Sequence, residues 1–329
     1  MRKITALLLS FVFALTALVS CSKQIENTAF DTDGYIEVNG KKSVPEYVIK
    51  INGNNISFAE YRYYYLNTKT ELEGGNTKIW KEYPENAVRL KNDVEDTLVE
   101  MYSIRILAEE NGVEPDYELV DKEISEAKKQ LSSDEFEKGL KDYFLTEELY
   151  EYILQGQSCY MTLFDHYFGE DGTLTMSEDE LEQYLNQNFT HVKHILIYPN
   201  TTMSDSEYEA YIQSVLEKVQ SSDDFDALIK EFSNDTAMPS YGYYFAEGEM
   251  PAEFENACDS LGIGEISGLV KTANGYHIIK KLAVNTSDSD ELKDVAYNHM
   301  FDSLISKRIN SVKVEYASVY DDISPFSVK

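Results

Sequence analysis

Apolar positions recur along this chain with three different rhythms, and each predicts a different kind of structure. Residues 4–19 form one unbroken apolar run behind Arg2 and Lys3, closed by Ser20 and Cys21. A basic start, a short greasy stretch and a small residue predict a secretory signal over 1–20, too short for a comfortable membrane span. Residues 21–45 carry Ser, Lys, Asn, Asp, Thr and Gly with few apolar groups, and read as a flexible tether. Order begins at Tyr47-Val48-Ile49-Lys50-Ile51, alternating and β-prone, ahead of the turn Asn52-Gly53-Asn54-Asn55. A helix then starts behind Ser57, whose hydroxyl is placed to cap it while Glu60 reaches back.

From there to residue 188 the period is helical. Pro84 stands where a helix can begin, and Val88, Leu90, Val94, Leu98, Met101, Ile104 and Leu107 recur at three- and four-residue steps until Gly112 stops it. Further helices are predicted at 116–131, at 134–141, from the Thr146 cap to about 168, and from Ser177 with Glu180 in a capping box. Tyr61, Tyr63, Tyr64, Tyr65, Tyr143, Phe144, Tyr150 and Tyr152 exceed what one buried stripe needs. Most are expected in the core, and a surplus would line a groove for apolar peptide.

The rhythm changes at 189. A strand at His191–Pro199, a helix at Ser204–Gln220 with a Ser204/Glu207 box and a helix at Asp224–Phe232 come first. Strand-like Tyr241–Phe245, a short helix opened by Pro251, and strands at Gly268–Thr272 and Tyr276–Ala283 follow. Residues 189–285 are therefore an α+β domain with a small antiparallel sheet. Past a Ser/Asp linker the helical pattern returns from Glu291 to about Asn310. The α+β domain is thus inserted in a mainly helical body, residues 46–188, whose core the helix and strand of 286–329 complete.

The charge balance narrows the partners. Without Arg2 and Lys3, 27 basic residues face 59 acidic ones, a charge near −32, so nucleic acid is not an expected partner. Cys159 and Cys258 make no metal spacing and no disulfide framework, and read as small core residues. His166, His191, His194, His277 and His299 fall in no metal-ligand pattern, so neither metal nor cofactor is expected. An acidic helical body with surplus aromatics is compatible with a homodimer.

Two resemblances follow from the residues. Leu18-Val19-Ser20-Cys21 resembles the lipobox of bacterial lipoproteins, in which the signal is cut before the cysteine and Cys21 takes up diacylglycerol. Two acyl chains, at roughly 0.8 kcal/mol per buried methylene, hold a protein stably at a membrane. Second, His194-Ile195-Leu196-Ile197, Phe225 to Phe232-Ser233, Gly248-Glu249-Met250-Pro251, Phe254-Glu255-Asn256-Ala257, Gly264-Glu265-Ile266-Ser267, and Val270-Lys271-Thr272 leading to Gly275-Tyr276-His277-Ile278-Ile279-Lys280 match in order the landmarks of parvulin-type peptidyl-prolyl isomerases. With signal, lipobox and flanking helices, the whole chain resembles the PrsA-type foldase lipoproteins of Gram-positive bacteria, with a SurA/PrsA-like chaperone body.

That resemblance implies a site and its clients. Met250 and Phe254 would form the greasy floor under a proline ring. His194 and His277 would sit side by side at its base, with Thr272 extending their hydrogen bonds. Asp235 falls where relatives face the substrate carbonyl, either opposing the planar amide or holding a donor in place. The usual Gly-Gly-Asp-Leu-Gly segment is replaced by Pro239-Ser240-Tyr241-Gly242-Tyr243-Tyr244-Phe245, with Gly242 near the leucine position, so a wall is missing or Tyr243 supplies it. No Arg/Lys cluster marks Tyr198–Asp205, so phosphopeptides are not the expected substrate. The expected clients are unfolded or partly folded exported proteins and X–Pro peptides, met on the outer face of the cell membrane. The alternative is a tethered, non-catalytic holdase. A solute-binding lipoprotein would need two α/β lobes, which the helical 56–188 does not supply.

Overall fold

The computed structural model describes residues 30–200, 202–286 and 289–329. The signal reading of 1–20 and the lipidation reading of Cys21 lie outside the described residues. Among the described residues no helix is long and apolar enough to cross a membrane.

The chain opens with β1 (Ile36–Val38) and β2 (Lys41–Ser43), then β3 (Tyr47–Ile51) and β4 (Asn54–Ser57). Six helices follow: α1 (Phe58–Glu73), α2 (Ile79–Glu82), α3 (Asn86–Glu110), α4 (Tyr117–Gln130), α5 (Ser133–Asp142) and α6 (Glu147–Phe168). After α7 (Glu178–Asn188) come β5 (Thr190–Ile197), α8 (Asp205–Gln220), α9 (Phe225–Phe232), β6 (Tyr243–Phe245) and α10 (Ala252–Asp259). The order closes with β7 (Val270–Thr272), β8 (Gly275–Lys281), α11 (Ser289–Ile309) and β9 (Val314–Tyr316). Two compact units divide them: residues 30–175 with Met300–Lys329, and Met176–His299.

In the first unit, strands far apart in the described chain meet in one sheet. β3 pairs antiparallel with β4 and, on its other edge, with β9 at Ile49↔Tyr316. Ile36, Ile49, Ile51, Ile56, Phe58, Tyr61, Tyr65, Leu90, Val94 and Leu98 are buried in one core with Val328. β9 thus supplies a hydrogen-bonding partner far away in sequence, and its Val314 packs against this core. The tether reading fails over 36–43. Asn39-Gly40 turns with φ of 52° and 76°, the tight hairpin that Asn-Gly favours, and Ile36, fully buried, bridges Val328. Ser57 caps α1 by accepting from the Glu60 amide at 3.2 Å, but the Glu60 side chain does not reach back. It turns inward and accepts from Tyr102 Oη at 2.9 Å. Tyr61 and Tyr65 are core, whereas Val88 (63% exposed) and Tyr143 (62%) are not.

The second unit is built on a four-stranded antiparallel sheet in the order β6-β5-β8-β7. Side chains alternate across it. Ile195, Ile197 and Ile278 face α8 and α9, packing on Ile212, Val215, Val219 and Phe225. Val192 and Ile279 face the other way, onto Phe245, Phe254 and Cys258. Capping boxes at Ser177/Glu180 and Ser204/Glu207 start α7 and α8 as the sequence predicts. Leu181 and Leu185 of α7 pack on Leu292 and Ala296 of α11, so these helical flanks share the compact unit that holds the sheet.

Candidate active site

The sheet register places the chemistry. His194 on β5 pairs with Ile279 and His277 on β8 pairs with Leu196, which makes the two histidines diagonal neighbours on the α10 side. Their rings stack with centroids 5.2 Å apart and planes at 17°, and Nδ1 faces Nδ1 at 3.1 Å. On one flank His277 Nε2 lies 2.9 Å from Thr272 Oγ1, which also accepts from the Asn274 amide at 3.1 Å. On the other, His194 Nε2 lies 2.8 Å from Asp235 Oδ2.

The partners' chemistry fixes where the protons sit. The Asp235 carboxylate only accepts, so His194 donates from Nε2 and, as a neutral ring, offers a lone pair at Nδ1. His277 must then donate from Nδ1 and accept at Nε2, where the Thr272 hydroxyl donates. The result is one line with one direction, Asn274 N–H to Thr272 to His277 to His194 to Asp235.

Electrostatics agree with two neutral rings. Burial pulls His277 down to about 4, the neighbouring His194 adding to the effect. Burial also lowers His194, which the hydrogen bond to Asp235 offsets only in part. For Asp235 partial burial raises the carboxyl, but hydrogen bonds from His194, the Ala237 amide and Tyr243 outweigh it, so the net direction is down.

Asp235 reaches His194 because its turn is tied to β5. Ser233 Oγ accepts from the Leu196 amide at 3.1 Å, and the Asn234 amide donates to the Leu196 carbonyl at 2.7 Å. Both Asp235 oxygens are engaged: Oδ1 accepts from Ala237 N at 2.9 Å, and Oδ2 accepts from His194 and from Tyr243 Oη at 3.0 Å. The carboxylate thus accepts from three donors, one each from His194, Ala237 and Tyr243.

Tyr243 stands at the altered segment. Its ring meets His194 edge-on at 5.8 Å, and burial, then the hydrogen bond to Asp235, push its hydroxyl up to about 12. It packs with Met250 against the cluster around Phe254. Gly242 beside it has φ +99°, and a Cβ there would run into the Val192 carbonyl, so no leucine fits at that position.

Phe254, only 1% exposed, is the floor beneath the histidines, edge-on to His194 at 5.5 Å and to His277 at 5.2 Å. Met250 is the half-buried member of the pair. Sequence reasoning missed Glu255, which accepts from the Gly248 amide at 2.7 Å and the Met250 amide at 3.0 Å and so sets the loop that carries Met250. The signal was available: α10 opens at Pro251, which has no capping side chain, and an acidic residue in its first turn can reach back.

A small antiparallel sheet with a buried histidine pair, an aromatic floor and an engaged carboxylate defines a parvulin-type domain. Residues 194–283 match the PPIC-type PPIase domain family, and residues 1–163 match the SurA-like N-terminal domain family. The chain is 27% identical to the foldase protein PrsA of Caldanaerobacter subterraneus over 96% of this chain and 93% of that protein. It is 30% identical to the foldase protein PrsA of Oceanobacillus iheyensis over 68% of this chain and 71% of that one. Among solved structures, the peptidylprolyl isomerase PrsA of Bacillus anthracis is 24% identical, with a TM-score of 0.33 over 65% of this chain and 94% of that chain. The chain belongs to the PrsA foldase family.

Proposed function

We propose that this protein is an extracytoplasmic peptidyl-prolyl cis/trans isomerase and foldase, anchored through lipid on Cys21, that speeds the folding of exported proteins. The X–Pro bond is held by amide resonance, with a barrier of about 18–20 kcal/mol and an uncatalysed time of tens of seconds or more. No bond is broken, so no nucleophile or cofactor is required. Met250 above Phe254 grips the pyrrolidine ring, and Tyr243 walls the side where relatives carry leucine. The line Thr272–His277–His194–Asp235 holds that surface rigid and keeps its polar atoms engaged, so the imide is dried without being offered a strong partner in its planar form. A twisted imide has lost its charge-separated resonance form and fits such a surface better than a flat one. Each 1.36 kcal/mol of that preference is tenfold in rate.

The observation that carries this reading is the directional hydrogen-bond line beside the Met250–Phe254 floor. The test is proline-limited refolding of a client with catalytic amounts of the full chain. Acceleration by wild type, and its loss in His194→Ala and Met250→Ala, is the expected result; no acceleration at all leaves the second reading. That reading, a tethered holdase, is favoured by Gly242 in the leucine position. It requires that clients be kept soluble equally well by wild type and by both variants.

A further inference from the structure

His191, the second residue of β5 and three before His194, is buried and has an acceptor at each ring nitrogen. Nδ1 lies 2.6 Å from the Ala283 carbonyl oxygen and Nε2 lies 2.7 Å from the Tyr241 carbonyl oxygen. Carbonyl oxygens cannot donate, so both nitrogens must. A neutral imidazole has a single N–H and would set lone pair against lone pair at the other contact. The arrangement is complete only with a proton on each nitrogen.

One contact suits a cation, while Lys193 and the lack of a lining carboxylate act against it. Tyr244, directly opposite His191 across the β5–β6 pair, stacks on the ring with centroids 4.0 Å apart and planes at 12°. The hollow beside the ring is lined also by Lys193, Ser240 and Asn285, and no carboxylate is among its described lining residues. Among the described residues, the titratable groups beside the ring are Tyr244 of β6, Tyr241 of the preceding loop and Lys193 of β5, whose ammonium pairs with Asp226 of α9 at 2.7 Å.

What the ring holds matters for the site. The Tyr241 carbonyl precedes Gly242, which sits at φ +99°, and Tyr243 comes next with its hydroxyl on Asp235. The Ala283 carbonyl lies just past β8, the strand that carries His277. We propose that His191 is a protonation-dependent clasp, a positioning residue that in its doubly protonated form holds Tyr241 and thereby sets Tyr243 against Asp235, so that loss of its proton loosens the proline site. The effect on turnover rests on the isomerase reading; the clasp itself does not.

The experiment uses the full chain labelled with 15N-histidine, read from pH 5.5 to 9 by long-range ring nitrogen spectra, together with the Tyr243 ring signals and the steady-state isomerisation of an Xaa–Pro peptide. At the acid end both His191 nitrogens are expected to show N–H character, and the Tyr243 signals are expected to move with the midpoint at which one proton leaves. Over the same step kcat should fall about tenfold with KM little changed, since a small misplacement near a site is enough for that. His191→Phe, which keeps the stack on Tyr244, should have low kcat throughout and lack that step. A neutral-ring pattern at the acid end, or Tyr243 signals indifferent to the loss of the proton, overturns the clasp. If the full chain isomerises no peptide, the isomerase reading fails instead, and the nitrogen and Tyr243 signals still decide the clasp.

Discussion

His194 and His277 meet Nδ1 to Nδ1 at 3.1 Å, so one ring must present a lone pair to the other's N–H; a proton added to His194 meets that contact, and one added to His277 goes to Nε2 and displaces the Thr272 hydroxyl as donor. The consequence is an acid-sensitive unit. Burial, with His194 adding to it, holds His277 at about 4 against 6.5 unfolded. Between those values the unfolded chain binds a proton that the folded one refuses. Stability from this group is whole above pH 6.5, declines as pH falls and is gone near 4, a loss of up to about 3 kcal/mol. Urea midpoints followed on the His277 ring proton signal should drop over that window, and a midpoint independent of pH there would contradict the neutral pair.

The other unit should respond with the opposite sign. Glu60 is buried and accepts from Tyr102; burial raises its carboxyl to about 7, with Arg105 pulling the other way. Here the folded state binds the proton more readily, so the contribution grows as pH falls from 7 to 4.5 and is whole below 4.5. Trp80, the chain's single tryptophan, lies in that unit's core and reports it separately. Glu60→Gln should remove the slope between these pH values from the Trp80 fluorescence midpoint, and an unchanged slope would assign it to other carboxylates.

Asp235 and Tyr243 can be separated by paired substitutions. Tyr243→Phe keeps the ring and removes one donor from Asp235 Oδ2, a loss of about 1 kcal/mol of hydrogen bonding. Asp235→Asn removes the charge and one of the two acceptor oxygens that serve His194, Tyr243 and Ala237, and should lower kcat/KM at least tenfold, more than Tyr243→Phe does. The Tyr243 hydroxyl, now about 12, should titrate lower in Asp235→Asn because the charge that adds to burial is gone. A ring titration by 13C NMR that does not move would show burial alone at work.

Restoring the leucine of the common pattern should not help. Gly242→Leu meets a positive φ and the Val192 carbonyl, and is expected to cost about 2 kcal/mol or more. Calorimetry should show the site unit melting earlier, with no gain in turnover. A variant of wild-type stability and higher activity would mean that this segment has a second accessible backbone path.

The legible part of this chain was local. Ser177/Glu180 and Ser204/Glu207 act within one helical turn, and the resulting capping boxes lie where the sequence puts them. Two local signals were present but outweighed: Asn39-Gly40 made a hairpin inside a polar stretch, and Glu60, spaced for a capping box, found a stronger reason to turn inward toward Tyr102. Val88 fits the apolar spacing of α3 yet lies exposed, because spacing alone does not say how wide the buried stripe is.

By itself the sequence determined the order of strands and helices over 189–285, the α+β insertion in a helical body, and which residues are candidates for the site, because periodicity, caps and motif order act over a few residues. Only the tertiary structure decided that β9 pairs with β3, that both Asp235 oxygens are engaged as acceptors, and that Tyr243 rather than a leucine stands beside His194. Those outcomes depend on which strand edges pair and which donors reach one carboxylate, and hydrogen bonds between groups 8 to 267 residues apart leave no trace in local pattern.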